Sequence, residues 1–145
     1  MLTDYSRIVV AYDHSELSKK ALKMAMNLSK QDNAIQLFIL MVLHPVKPTP
    51  YSYGYAFASY YASQQEESKT IKKEIEQELE SLPNKTRTFI MEGNPGPLIV
   101  DFIKENDADL VVMGSRGLSG LKELFLGSVS HYVVQKATCP VLIVK

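Results

Sequence analysis

The sequence predicts an α/β fold: a three-layer open parallel sheet of five strands with helices on both faces. Three observations predict it. Short apolar runs rich in Val, Ile and Leu alternate with longer amphipathic segments throughout. Several runs are apolar almost without interruption, as befits strands covered on both sides. The 145 residues, 46% of them hydrophobic, are enough for one core. They contain no internal repeat, low-complexity block or linker, so residues 1–145 are expected to form a single domain.

Arg7 to Tyr12 reads as the first strand. A helix follows from Ser15 to about Lys30, with Ser15 as its N-cap. Leu17, Ala21, Ala25 and Leu28 fall on one face of it, and Leu22 and Met26 widen that face. Ile35 to Leu43 is the second strand, and His44-Pro45 stops it. Tyr51 to Tyr61 holds five tyrosines and a phenylalanine. We read it as a loop feeding the next helix, its rings laid on the core; a lid or a partner surface is the alternative. The helix itself is expected from about Gln64 to Leu82, on the stripe Ile71, Ile75, Leu79 and Leu82.

Thr86 to Met91 forms the third strand. Glu92 to Pro97 turns into a helix bearing Leu98, Ile99, Phe102 and Ile103, which Asn106 to Asp109 breaks. Leu110 to Met113 is the fourth strand, Val129 to Ala137 the last helix, and Pro140 to Lys145 the fifth strand. Strand–helix alternation implies right-handed crossovers. Ligands of such sheets bind beyond the carboxyl ends of the strands, where strand order reverses.

Composition narrows the function. Lysine plus arginine equals aspartate plus glutamate, 16 against 16, so no global field favours nucleic acid or an anionic membrane. The longest strongly apolar run, Phe38 to Leu43, is too short to span a bilayer. MLTDYSR carries no apolar signal region, which makes the cytoplasm the expected location. Cys139 is the only cysteine and reads as a small packed residue.

The fourth strand runs into GSRGLSGLKELFLGSVS, Gly114 to Ser130. Missing side chains let backbone approach a ligand closely and adopt positive φ, and successive N–H groups then make an anion site. The start of the last helix adds unpaired N–H groups, and Ser128 and Ser130 add hydroxyls. A phosphate chain is the fitting guest, with Gly114 and Gly117 on one side and Gly127, Ser128, Val129 and Ser130 on the other. Arg116 and Lys122 supply charge. Neither a P-loop nor a G-x-G-x-x-G fingerprint is present. Glycines serving only as turns are the alternative. Asp13, just past the first strand, reads either as a ribose acceptor or as a helix N-cap.

The pattern Gly114-x₂-Gly117-x₉-Gly127-Ser128 resembles that of the ATP-binding universal stress proteins. So do VAYDHSELSKKAL near the start, EGNPGPLIVDFIKENDADLVVMGSRG in the second half, and the terminal CPVLIVK. The resemblance covers essentially the whole chain. It implies strand order 3-2-1-4-5, an adenine nucleotide alpha hydrolase-like arrangement, and a cleft for ATP, with AMP or ADP as alternatives and Mg²⁺ arriving with the nucleotide. It places Asp13 on ribose or adenine with Tyr12 beside it, and Val42 in the adenine pocket. Met113, Gly114, Arg116 and Gly117 would surround ribose and phosphates, and Gly127, Ser128, Val129 and Ser130 would close on the phosphates. Two positions depart from it: residue 12 is often small in relatives and residue 14 often glycine, where this chain has Tyr12 and His14.

These residues suggest a nucleotide-dependent regulatory module. A scaffold of the same fold without nucleotide is the principal alternative. No catalytic residue is assigned: a metal clamp and an oriented nucleophile are not evident, so slow hydrolysis or self-phosphorylation is the most expected. The histidines and Cys139 lack metal-ligand spacing. The fifth strand, Val141 to Val144, is expected at a sheet edge and to join two copies in a homodimer.

Overall fold

The computed structural model describes residues 5–45, 54–117 and 126–145. Among these lie nine elements in strict alternation: β1 (Arg7–Tyr12), α1 (Glu16–Ser29), β2 (Gln36–Leu43), α2 (Tyr55–Leu79), β3 (Thr86–Glu92), α3 (Pro95–Glu105), β4 (Leu110–Gly114), α4 (Ser128–Lys136) and β5 (Val141–Val144). All strand pairs are parallel, and the sheet order is β3-β2-β1-β4-β5. The expected architecture and strand order are therefore observed.

Side-chain alternation on β1 divides the core in two. Ile8, Val10 and Tyr12 face α1 and α2, packing with Leu22, Ala25 and Ile75. Val9 faces α3 and α4, packing with Phe102, Ile103 and Val133. Ile8, Val9 and Val10 are wholly inaccessible, each burial stabilising the fold by about 1.5–3 kcal/mol. Ser15 caps α1 as expected, its hydroxyl accepting from the Ser18 N–H at 3.2 Å. At the amino end of the sheet, Asp109 accepts from the Ser6 N–H, the Ser6 hydroxyl and the Arg7 N–H at 2.7–2.9 Å. The Asn84 amide nitrogen, also buried, faces the carbonyls of Ser29, Asp32 and Ile35 and pins the turn before β2 to the one before β3.

Two expectations are corrected. Helix α2 begins at Tyr55, nine residues before Gln64, and ends at Leu79. Its rings do not lie on the core: Tyr55 is 88% exposed and Tyr60 60%. Residues 55–63 contain no Gly or Pro and are rich in Ala, so nothing local stops the helix from running back through them. Tyr51 and Tyr53 lie outside the described residues, as do Gly120 and Lys122.

Candidate functional site

Strand order reverses between β1 and β4, and the chain leaves their carboxyl ends in opposite directions. A cavity of about 590 Å³ opens there, within the range that holds small-molecule ligands. Of the residues expected to hold nucleotide, eleven line it, and Lys122 lies outside the described residues. Tyr12 and Asp13 come from the end of β1, Val42 from β2 and Met113 from β4. Gly114, Arg116 and Gly117 follow β4, and Gly127, Ser128, Val129 and Ser130 open α4.

Ser115 frames the site, and sequence reading did not single it out. Its N–H donates to the Val144 carbonyl at 2.9 Å. Its own carbonyl accepts from the Gly127 N–H at 2.7 Å and from the Ser130 hydroxyl at 2.9 Å. One buried residue thus ties β5, the end of β4 and the start of α4 together, bridging residues 118–125. Only the structure reveals this, because Ser115 makes these bonds with its main chain and its own side chain leaves no signature. They also revise the expected anion contacts. The Gly127 N–H is engaged internally, and the Ser130 hydroxyl also lies 3.1 Å from the Gly127 carbonyl. What remains is the first turn of α4: the N–H groups of Ser128, Val129 and Ser130 have no acceptor among the described residues. The positive end of the helix dipole adds to their pull on an anion.

The glycines act by lacking a side chain rather than by unusual φ, since none of 114, 117 and 127 has φ in the left-handed region. A Cβ on Gly117 would stand 2.5 Å from Asp13 Oδ2. A side chain at residue 117 would therefore displace the Asp13 carboxylate from its place beside the loop after β4. Gly114 serves packing instead, because its Cβ would come within 2.8 Å of Leu17 Cβ on α1. Asp13 is not the helix cap, a role held by Ser15. Its Oδ1 accepts from the Ser15 N–H at 3.0 Å, which orients the carboxylate at the cavity mouth.

Charge is distributed unevenly around the cavity. Arg116 is the only lysine or arginine among the described residues that line it. Burial of Tyr12, reinforced by Glu78, Glu74, Asp13 and Glu16, pushes its phenol up to about 12, so it stays neutral. His14 Nε2 lies 3.6 Å from Glu74 Oε2 of α2. His14 and His44 line the cavity, whereas His131 does not.

One whole wall was missed in the sequence. Gln64, Glu67, Ser68 and Ile71 of α2 close the side opposite α4, and Leu40, Pro95 and Ile99 add apolar surface. The usable signal was the Ile71–Ile75 stripe, which places this stretch of α2 over the sheet. Among the described residues, no three His, Cys, Asp or Glu side chains could hold a metal ion, and no helix is long and apolar enough to cross a membrane.

A model of the universal stress protein family matches residues 4–145. The chain belongs to the universal stress protein family. Universal stress protein YxiE of Bacillus subtilis is 38% identical to it over 149 residues, covering 97% of this chain and 99% of that protein. Universal stress protein UspA from Lactobacillus plantarum superposes with a TM-score of 0.86 at 26% identity, over 99% of this chain and 100% of that one. A universal stress protein solved in complex with cAMP superposes with a TM-score of 0.69 at 27% identity, over 99% and 98%. In this universal stress protein, His14 has φ of 67°. That left-handed backbone is one a glycine adopts freely and costs a histidine about 1 kcal/mol.

Proposed function

We propose that this universal stress protein binds an adenine nucleotide, ATP in first place, and acts as a nucleotide-dependent regulatory module of the stress response. The observation that carries this reading is the pairing, in one cavity, of an apolar shelf with a helix start whose first N–H groups have no acceptor among the described residues. Val42, Leu40, Pro95 and Ile99 suit a base, Asp13 suits ribose hydroxyls, and the α4 turn with Arg116 suits phosphates. A structural relative solved with cAMP supports the same ligand class. The residues present fit a nucleotide: the volume is adequate, and apolar, carboxylate and main-chain donor groups line one cavity.

Bound nucleotide would change the surface that the cavity rim offers to partners. Mg²⁺ would be held chiefly by phosphate oxygens and water. The same reading places a homodimer contact at β5, which lies at the sheet edge with four consecutive apolar residues.

The test begins with denaturing the purified protein and running the supernatant by chromatography for adenine nucleotide. ATP is then titrated calorimetrically into wild type and Gly117→Val. Binding by wild type and its loss in the variant are expected. Equal binding by both, or none by either, overturns the assignment.

A further inference from the structure

The other edge of the sheet carries a feature that the nucleotide reading does not use. β3 pairs only with β2, leaving one side of Thr86–Glu92 without a strand among the described residues. The strand has no proline, and Arg87, Met91 and Glu92 are exposed. Beside it, Met91 joins Leu98, Pro97 and Phe102 of the α3 region in an apolar groove of about 350 Å³. Asp101 and Glu105 stand on the rim of that groove. Neither acid has an ion-pair partner among the described residues, whereas Glu92 accepts from the Tyr61 hydroxyl at 3.4 Å on the other face of the strand. Arg87 lies flat over the Phe89 ring at 4.8 Å, on the groove side of the strand.

Charges on an edge strand normally guard it, because a second copy would meet its own sign. Here the signs are separated along the strand, Arg87 near one end and Glu92 at the other, with the acids of α3 beside Met91. Antiparallel pairing reverses one copy, so each basic end meets an acidic end. We propose that β3 pairs with β3 of a second copy of this chain about a two-fold axis near Phe89. A two-fold perpendicular to the sheet keeps groove-side residues on one face and sets Arg87 of the partner subunit opposite Met91. Its aliphatic stem then covers the groove floor, and its guanidinium meets Asp101. The contact is isologous, so every such pair forms twice.

The contact is independent of nucleotide and is tested by charge exchange. Arg87→Glu and Asp101→Lys are made separately, both at exposed positions, and circular dichroism checks their folding. Self-association of each and association of one with the other are measured by sedimentation and by anisotropy of amino-terminally labelled chain. In the mixture, Glu at 87 faces Lys at 101, and the native pair survives on the other side. We expect the mixed pair to associate at least tenfold more tightly than either variant with itself. Any β5 contact adds the same constant to all three, so the comparison is read from the differences between them. Three equal constants, or no association up to millimolar chain, overturn the proposal; a different partner or none then takes this edge.

Discussion

The cavity has two walls built on different principles. The β4–α4 wall is short, made of main chain and locked by Ser115, whose N–H and carbonyl engage β5 and α4. The α2 wall is one helix of 25 residues with only Ser68, Ile75 and Leu79 buried, and its amino-terminal half exposes Tyr55 and Tyr60. A polyanion needs fixed donors, which the first wall provides. The second wall needs only to cover, and it is free to present an aromatic surface to solvent. On the proposed reading, recognition and display fall to different elements around one space.

The largest expected effect breaks the fixed wall. Gly117→Val should weaken ATP binding at least a hundredfold, about 2.7 kcal/mol, with little loss of stability, since residue 117 is exposed. Calorimetric titration and thermal melting read the two quantities separately. Gly114→Ala should behave oppositely. Its methyl group meets Leu17 on α1, so unfolding free energy should fall by about 1–3 kcal/mol, as denaturant titration would show.

A third change, far from both walls, calibrates the others. Partial burial works against ionisation of Asp109, but hydrogen bonds from Ser6 and from the Arg7 N–H, with the Arg7 charge, hold its carboxyl below the usual carboxylate range. A depressed folded value means that the stabilisation is present above the unfolded value near 4 and is lost as pH falls through the folded one. Asp109→Asn should cost about 1 kcal/mol at neutral pH and flatten the acid limb of stability against pH; nucleotide affinity should stay unchanged. The smallest effect is expected on the display side. Tyr55→Ser with Tyr60→Ser should alter unfolding free energy by less than about 0.5 kcal/mol, which denaturant titration checks.

The same contrast explains what the sequence disclosed. Most strands were legible because each is a run of apolar residues bounded by turn residues, and β1 was placed to the residue. The glycines of the fixed wall were legible as a spacing, although their physical reason was not. φ is ordinary at all three; Leu17 crowds out a side chain at Gly114, and a side chain at Gly117 would displace the Asp13 carboxylate. Those neighbours stand a hundred residues away, beyond any local pattern. The start of α2 was missed because a cluster of tyrosines looks apolar enough to seek the core, whereas here Ile71, Ile75 and Leu79 already hold the helix in place.

The central claim is that main-chain donors at the start of α4 receive a phosphate chain. Amide chemical shifts of the ¹⁵N-labelled protein test it most directly, with ATP and adenosine added in separate titrations. The account predicts that the Ser128, Val129 and Ser130 amides move strongly with ATP and little with adenosine, while Val42 responds to both. Equal responses of the three amides to both compounds, or shifts with ATP that leave the α4 turn untouched, would contradict it.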